Sequence, residues 1–370
     1  MKDPVRVFIA VVILSLVAGC GGQSATAKPE PRDARIDRLF ARWHKPDSPG
    51  CALAVIQDGE IIYNRGYGMA NLENDVPISS KTAFYIGSTS KQFTAMSVLL
   101  LAEQGKLSLD DDVRKYVPEI PDSNHSITIR HLIHHTSGIP DYLSLWHLAG
   151  RDFADSIPED DVLDLLAERK ALNFTPGDRF EYSNSGYFVL AVIVKRVSRR
   201  SLREFAEENV FQPLGMNDTH FHDDRTMIVK NRADGHFARP DGGFGIFTTS
   251  FDLVGSGGLY TTVEDLLLWD RNSYQNRLGR GGEALIDRML TCGTLSSGEE
   301  LDYAFGLVID EYEGFKAISH GGGFIGFRAE LIRFPEKHLS VAVLCNLSSI
   351  DAGQLARRVA DICLIHGCTD

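Results

Sequence analysis

The sequence contains few cysteines, and no two of them form a C-x-x-C pair. Six cysteines occur among 370 residues, and Cys20 directly follows an apolar N-terminal run. The remaining cysteines are odd in number and widely spaced: Cys51, Cys292, Cys345, Cys363 and Cys368. This pattern excludes a redox dithiol and requires no disulfide framework. We therefore expect at least one free thiol, buried as a small hydrophobic side chain.

Clusters of basic side chains are also missing. The chain has 38 Lys and Arg residues against 50 Asp and Glu residues, which gives a net charge of −12. An acidic chain without a basic patch is not expected to bind nucleic acid or to attach electrostatically to a membrane. The sequence has no G-x-S-x-G motif either, which disfavours an α/β-hydrolase.

The first 19 residues are predicted to be a lipoprotein signal peptide. Lys2 and Arg6 precede the apolar run Val7–Ala18, and its 12 residues are too few to span a bilayer core of about 30 Å. Small residues follow the run, as is typical of a cleavage site.

Cys20 is the predicted lipidation site, because the sequence VAGC that ends there is similar to the bacterial lipobox. The alternative is a plain secretory signal with an incidental cysteine. Gly21, rather than aspartate, follows the cysteine. In a Gram-negative cell this predicts a lipid-anchored protein on the outer membrane, facing the periplasm. Residues 20–32 are rich in Gly, Ser, Thr, Lys and Pro and are predicted to be a tether.

Strand-like segments occur at both ends of the remaining chain. The strands expected from alternating or apolar runs are Cys51–Gln57, Glu60–Tyr67, Tyr303–Asp310, Phe315–His320, Phe327–Phe334 and Leu339–Cys345. The first two are joined by Asp58-Gly59, a strong hairpin signal. Helices are expected at Asp33–His44 and at Asp351–His366, and the middle of the chain is mostly helical.

This order of elements predicts one domain of two lobes, residues 33–370. We expect an α/β (α+β) lobe from residues 33–80 and 240–370, built on an antiparallel sheet flanked by helices. An all-helical lobe, residues 81–239, would be inserted between these two segments.

The stretch Gly87–Gly105 is predicted to be a buried helix that carries a nucleophile. Ser88, Thr89 and Ser90 are candidate N-caps, and most of the following residues are apolar. Ser88 and Lys91 fall on one face, about 4.5 Å apart along the axis. If burial lowers the pKa of Lys91 towards neutrality, its amine can take the hydroxyl proton of Ser88. The alternative is that Ser88 only caps the helix while Lys91 reaches solvent.

Tyr182 and Asn184 form a second candidate motif, in the sequence FTPGDRFEYSNSGY. We expect them on a loop before an apolar helix that begins near Tyr187. There they would either cap that helix or face a cleft, Tyr182 relaying a proton and Asn184 holding a substrate amide or carbonyl.

His320 and the three glycines after it form a third candidate motif at the end of a strand run. Glycines beside a strand allow a substrate backbone to approach, and a backbone N–H there can complete an oxyanion hole. Gly321, Gly323 and Gly326 also match the dinucleotide fingerprint G-x-G-x-x-G. That reading is rejected because the fingerprint needs a following helix, and a strand is expected instead.

Two further motifs are interpreted as structural. The turn Gly255–Tyr260 leads into a threonine-capped helix and is interpreted as a corner, although it can also line a cleft. His131, His134 and His135 have the spacing of zinc ligands. However, no acidic residue or further histidine lies close in sequence, so no metal site and no cofactor are expected.

Taken together, the motifs resemble those of serine β-lactamases and penicillin-binding proteins, and in particular the class C β-lactamase-related branch. The likeness covers roughly residues 33–346. It rests on S-x-x-K at Ser88, Y-x-N at Tyr182, H-x-G at His320, and the connecting text HLIHHTSGIP, PLGM, GSGGLYTTVEDLLLWD and HGGGFIGF.

The resemblance implies a role for each matching residue. Ser88 would be acylated, Lys91 would shuttle its proton, and Tyr182 would assist as base and then protonate the leaving group. Asn184 would hydrogen-bond the acyl side chain of the substrate, and His320 and Gly322 would border the substrate. The backbone N–H groups of Ser88 and Gly323 would form the oxyanion hole. The fold implied is a sheet with flanking helices plus a helical lobe, with the cleft between them.

One departure matters for substrate choice. Class C β-lactamases have Lys-Thr-Gly at the third motif, where the ammonium holds a substrate carboxylate, whereas this chain has His320 and Gly321. A histidine there is similar to D,D-carboxypeptidases, D-amino-acid peptidases and several esterases of the family.

The sequence therefore predicts a serine hydrolase that acts on amide or ester bonds of small molecules or peptides. A D-amino-acid peptidase is placed slightly ahead of an esterase. A penicillin-binding sensor that does not turn over, and a non-catalytic lipoprotein, remain as alternatives.

Overall fold

A computed structural model describes residues 30–152, 157–248 and 251–366. The predicted signal peptide, Cys20 and nearly all of the predicted tether lie outside these residues. The strands, in chain order, are β1 (Cys51–Gln57), β2 (Glu60–Tyr67), β3 (Met69–Asn71), β4 (Val76–Pro77), β5 (Phe84–Tyr85), β6 (His220–Phe221), β7 (His236–Ala238), β8 (Phe244–Ile246), β9 (Leu259–Thr261), β10 (Val308–Tyr312), β11 (Phe315–Phe324), β12 (Phe327–Phe334) and β13 (Leu339–Cys345).

The helices are α1 (Arg32–Phe40), α2 (Lys91–Glu103), α3 (Ile129–Ile133), α4 (Tyr142–Leu148), α5 (Glu159–Ala167), α6 (Asn184–Ser198), α7 (Leu202–Ala206), α8 (Gln212–Leu214), α9 (Val263–Tyr274), α10 (Glu283–Met289) and α11 (Ala352–His366). Short 3₁₀ turns occur at Gly87–Ser90, Val113–Lys115 and Pro335–Lys337, and a π-helical turn at Glu207–Phe211. No helix within the described residues is long and apolar enough to cross a membrane.

Six strands form the main sheet in the order β10-β11-β12-β13-β1-β2, and each neighbouring pair is antiparallel. β1 pairs with β13 from Cys51–Cys345 to Gln57–Leu339. Segments from both ends of the chain therefore complete one sheet, which confirms the predicted mixed α/β fold. The prediction that residues 81–239 are all-helical was wrong, because this stretch also contributes the short strands β5, β6 and β7 to small sheets.

The β1–β2 hairpin has the predicted boundaries. Asp58 and Gly59 have φ values of 51° and 75°, the left-handed conformation that a two-residue hairpin turn of this kind requires. The prediction was wrong for β10, which was expected at Tyr303–Asp310. Gly306 has a φ of 72°, and a turn joins Ala304 N–H to the Leu307 carbonyl. The chain is therefore bent before Val308, where the strand begins.

Both faces of the sheet are covered. In β1, Cys51, Leu53 and Val55 pack in a core with α1 and α11, while Ala52 and Ala54 face a larger core. That larger core contains most of the buried side chains of α2, α3 and α6. Burial on both faces explains why β1 is apolar throughout rather than alternating.

Cys51 and Cys345 form a disulfide between β1 and β13, although 294 residues separate them in sequence. The cysteine spacing did not require a disulfide and could not indicate this pairing, because only the pairing of the two strands makes these residues neighbours. Cys292 is a half-buried free thiol, as expected of at least one cysteine, and Cys363 is buried.

Candidate active site

Ser88 lies in the 3₁₀ turn Gly87–Ser90, immediately before α2. The predicted helix thus starts as a 3₁₀ turn, and no serine side chain caps it. The Ser90 hydroxyl instead donates to the Gly87 carbonyl at 2.6 Å, which ties the turn together. α2 is buried from Lys91 to Leu101, so it is a rigid support inside the molecule.

The Lys91 ammonium donates to three acceptors. They are the Ser88 hydroxyl at 3.0 Å, Asn184 Oδ1 at 2.9 Å and the Ser256 carbonyl at 2.7 Å. Burial lowers the pKa of Lys91 to about 7, against the opposing attraction of Asp141. A large fraction of the amine is therefore neutral at pH 7. In that form two N–H groups satisfy Asn184 and Ser256, and the lone pair is available to the Ser88 proton.

Tyr182 covers this pair from the solvent side. Its ring centre is 4.8 Å from Lys91 Nζ, and the residue is 39% exposed. Burial of the phenol raises the pKa of Tyr182 above its ordinary value, although a hydrogen bond with Ser88 opposes this effect. The phenol is thus protonated at neutral pH and can donate a proton, whereas the Lys91 amine is the group beside Ser88 whose pKa lies near neutrality.

Asn184 is the first residue of α6, not a loop residue as predicted. Its Nδ2 and its backbone N–H both donate to Asp141 Oδ2, at 2.9 and 2.7 Å. The amide is therefore held between Asp141 and Lys91. Ser183 N–H donates to His135 Nδ1 at 3.2 Å, and the His135 ring lies 4.2 Å from that of Tyr182.

The glycines after His320 lie within β11, which was predicted to end at His320. The Thr89 hydroxyl donates to the His320 carbonyl at 3.1 Å, which fixes the strand against the Ser88 turn. A Cβ atom on Gly322 would collide with the Ile86 carbonyl oxygen, and one on Gly87 would lie 2.8 Å from Gly323 N. The strand can approach Ser88 this closely only because these positions have no side chain.

The His320 ring is occupied by protein partners. Nε2 faces the Tyr303 hydroxyl at 3.0 Å and Nδ1 faces the Gly321 carbonyl at 2.6 Å. Burial, together with the charge of Lys91, lowers the pKa of His320 to about 4. The ring is neutral at pH 7, with Nδ1 as donor and Nε2 as acceptor. It offers neither a cation nor a free ring nitrogen to a substrate. The structure therefore gives no support for the prediction that His320 binds the substrate through a polar contact of its ring.

A small pocket of about 60 Å³ opens beside Ser88. Its polar lining includes Asn184 and the backbone of Gly323. The rest of the lining is mainly apolar or aromatic: Tyr85, Tyr142, Leu143, Phe251, Leu253 and Phe324. Within the described part of the chain, no charged side chain lines this pocket.

The three candidate zinc ligands point to different partners. His131 Nδ1 accepts from Thr128 N–H, His134 Nδ1 faces the Tyr303 carbonyl, and His135 Nδ1 accepts from Ser183 N–H. In residues 30–152, 157–248 and 251–366, no group of three or more His, Cys, Asp or Glu residues is arranged to hold a metal ion.

Comparison with known proteins identifies the family. The Beta-lactamase family model matches residues 36–364. The chain belongs to this family. Over 314 residues, this Beta-lactamase family protein is 31% identical to penicillin-binding protein 4* of Bacillus subtilis, covering 80% of the chain and 68% of that relative. It is 28% identical over 324 residues to a D-aminopeptidase of Gluconobacter oxydans, covering 88% of the chain but only 60% of the relative.

Solved structures of the Beta-lactamase family have the same fold. An octameric penicillin-binding protein homologue from Pyrococcus abyssi superposes with a TM-score of 0.78 at 28% identity, covering 91% of this chain and 77% of that one. A penicillin-binding protein from Bacillus halodurans superposes with a TM-score of 0.75 at 25% identity, covering 91% and 100%.

Two residues of this Beta-lactamase family site were missed in the sequence. Ser256, whose carbonyl accepts from Lys91, lies in the turn interpreted as a corner, and the glycines around it were the available signal. Asp141, in the sequence HTSGIPDY, gave no signal of its own. Ser88, Lys91, Tyr182 and Asn184 are brought together as the sequence predicted, but their catalytic roles remain predictions.

Proposed function

We propose that this protein is a serine hydrolase that forms an acyl-enzyme on Ser88 and cleaves amide or ester bonds. The observation that carries the proposal is the fully buried amine of Lys91, 3.0 Å from the Ser88 hydroxyl. A buried lysine is costly unless its amine has a function or a partner, and its pKa of about 7 suits a general base at neutral pH.

In the first step, neutral Lys91 accepts the hydroxyl proton while Ser88 Oγ attacks the substrate carbonyl carbon. The carbonyl π electrons move to oxygen, and the N–H groups of Ser88 and Gly323 stabilise the negative charge. As the carbon–nitrogen or carbon–oxygen bond breaks, the leaving group takes a proton from the Tyr182 phenol, which Lys91 can then replenish. In the second half of the cycle, water attacks the acyl carbon while neutral Lys91 accepts a proton from it. The bond between that carbon and Ser88 Oγ then breaks, Oγ takes a proton back from Lys91, and the acid product leaves.

The proposed substrate class is peptides or amides of D-amino acids. D-aminopeptidases such as that of Gluconobacter oxydans support it, although the chain spans about three-fifths of that relative's length. The described pocket lining has no cation and His320 is neutral, so a free substrate carboxylate has no charged partner within that lining. Within this class, that favours aminopeptidase or amidase activity over D,D-carboxypeptidase activity, and it disfavours a strong β-lactamase.

An esterase is the second candidate. The observation in its favour is the same small, uncharged and largely aromatic pocket, which suits the acyl group of a simple ester.

A substrate panel tests the proposal. A p-nitrophenyl ester, a chromogenic cephalosporin, D-alanine p-nitroanilide and a D-alanyl-D-alanine peptide would each be incubated with wild type and Ser88→Ala. Turnover of at least one amide or ester by wild type but not by the variant is expected. Equal turnover by both would refute the proposal. A stable adduct without turnover would favour a penicillin-binding sensor, and no reaction with any compound would favour a non-catalytic lipoprotein.

Export and lipid anchoring at Cys20 form a separate part of the proposal, supported by the N-terminal sequence alone. In a bacterial host, wild type should incorporate labelled palmitate and fractionate with membranes, whereas Cys20→Ser should do neither. Unchanged labelling of Cys20→Ser would contradict this part.

A further inference from the structure

The Asp141 carboxylate joins the starts of two helices beside the site. Oδ1 accepts from Ser144 N–H at 3.0 Å and so caps α4. Oδ2 accepts from Asn184 twice, from the backbone N–H at 2.7 Å and from Nδ2 at 2.9 Å. The same carboxylate thus satisfies a backbone donor at the start of α6, where no side chain of the preceding residue caps the helix.

This contact determines which way the Asn184 amide points. With Nδ2 bound to the carboxylate, Oδ1 must face the opposite way, towards Lys91 Nζ at 2.9 Å. A flipped amide would place its oxygen against the Asp141 carboxylate and its NH₂ group against the lysine. Both contacts would then be repulsive or unsatisfied.

Asp141 is also the anion that compensates the buried lysine. The titratable groups that face Lys91 are His135, His320, Tyr182, Tyr187 and Asp141. Burial lowers the pKa of both histidines and raises the pKa of both tyrosines, so these four groups are neutral near pH 7. Of the five, only Asp141 opposes the effect of burial on the amine.

We infer that Asp141 is a positioning residue for the acylation of Ser88, acting through Asn184 to hold the Lys91 amine in place and to set its protonation. The inference rests on the proposed function and adds a residue to it. Asp141 does not line the pocket beside Ser88, so we expect its loss to change the rate of acylation more than the binding of substrate.

Asp141→Asn is the sharpest perturbation, because it keeps the shape and removes the charge. An amide has one oxygen, so it cannot accept both from Ser144 N–H and from the two Asn184 donors. Losing a hydrogen bond to a charged group costs about ten- to a hundredfold in rate where that bond orients the base. For Asp141→Asn we expect the rate of the p-nitrophenol burst at alkaline pH to fall by that factor, while KM changes by less than about threefold.

The pH dependence of acylation distinguishes the two roles, because its midpoint would not change if Asp141 were only a structural residue. Wild-type acylation is expected to fall on the acid side with a midpoint near the Lys91 pKa of about 7. Removing the Asp141 carboxylate destabilises the ammonium, so the midpoint in Asp141→Asn should shift to lower pH. Asp141→Glu restores the charge one methylene further out. We expect it to recover the midpoint but not the full rate.

Two comparisons separate positioning from general destabilisation. Asp112→Asn is the matched control, because Asp112 also caps a helical turn with its carboxylate but has Arg114 and Ser126 as its side-chain partners. It should keep the wild-type rate and midpoint. In an Asn184→Ala background, adding Asp141→Asn should lower the rate by less than about threefold, because the two residues act as one unit.

Three results would overturn the inference while leaving Ser88 as nucleophile. The first is a wild-type burst rate and pH midpoint in Asp141→Asn. The second is a loss of rate in Asp141→Asn that matches its loss of thermal stability while the pH midpoint stays unchanged. The third is full additivity of the rate losses of Asp141→Asn and Asn184→Ala. If Asp141→Asn fails to fold, a wild-type rate in Asp141→Glu would equally count against the inference. Failure of the proposed function gives a different result, since wild type itself would then show no burst and no Ser88 adduct.

Discussion

Adding one methyl group at Gly322 should disable the site without touching any side chain that does chemistry. Gly322 faces the Ser88 turn, and an alanine Cβ there would collide with the Ile86 carbonyl oxygen and lie 2.8 Å from Thr89 Oγ1. The backbone of Gly322 is not in the left-handed region, so alanine is conformationally allowed. The clash is with backbone in a turn held by hydrogen bonds, so we expect β11 to move away from Ser88.

The expected loss of activity in Gly322→Ala depends on Gly323, because its N–H group moves with the strand. Gly323 N–H is one of two proposed oxyanion donors, and it lies next to Gly87, where a Cβ would be 2.8 Å from this nitrogen. Removing one such donor costs about 10²- to 10³-fold in kcat, or about 2.7 to 4 kcal/mol. A shift of about 1 Å is enough for a loss of this order.

The assay is the rate of Ser88 acylation by a p-nitrophenyl ester, with thermal unfolding measured in parallel. Gly321→Ala is the matched control, because its side chain would point to the other face of the strand. There it would meet the terminal Oε2 of the Glu330 side chain at 2.8 Å rather than the backbone of the Ser88 turn. Gly321→Ala should acylate within about threefold of wild type. A Gly322→Ala variant that does the same would refute the assignment of Gly323 to the oxyanion hole.

Four further outcomes are expected. Lys91→Met should abolish acylation while leaving the fold largely intact, since methionine fills much of the volume of the lysine stem; an adduct formed at the normal rate, seen by mass spectrometry, would exclude Lys91 as base. Tyr182→Phe should slow turnover of an amide by about 10²- to 10⁴-fold and an activated ester by much less, whereas equal losses would argue against leaving-group protonation. Wild-type acylation should fall below about pH 7, as the amine of Lys91 becomes charged, and a flat profile from pH 5 to 9 would contradict this. Replacing Cys51 and Cys345 by alanine should lower the free energy of unfolding by about 2 to 5 kcal/mol, which urea titration of wild type and variant would measure. The labelling of Ser88 by the ester should not change.

Much of the local structure could be predicted because it depends on neighbours in sequence. The β1–β2 hairpin was located to the residue, since Asp58-Gly59 favours the left-handed turn that joins two apolar strands. The spacing of Ser88 and Lys91 fixed their common face, because one helical turn determines it. The predictions that failed locally involve details of backbone geometry, such as the start of β10 beyond the Gly306 turn.

The contacts that give these residues their chemistry were decided by packing. Lys91 meets the carbonyl of Ser256, 165 residues later, and the amide of Asn184, 93 residues later. His320 was expected to face the substrate, but Tyr303 and the Gly321 carbonyl occupy its ring. No period or spacing encodes such partners, because they lie far apart in sequence and meet only when the chain folds.

The sequence by itself determined the strands β1, β2, β12 and β13, the family motifs and the common face of Ser88 and Lys91, all of which follow from local periodicity and residue type. Only the tertiary structure decided the Cys51–Cys345 bond, the carboxylate of Asp141 behind Asn184, and the low pKa of Lys91. The reason is physical: desolvation and hydrogen bonding act through space, and both depend on which atoms folding brings together.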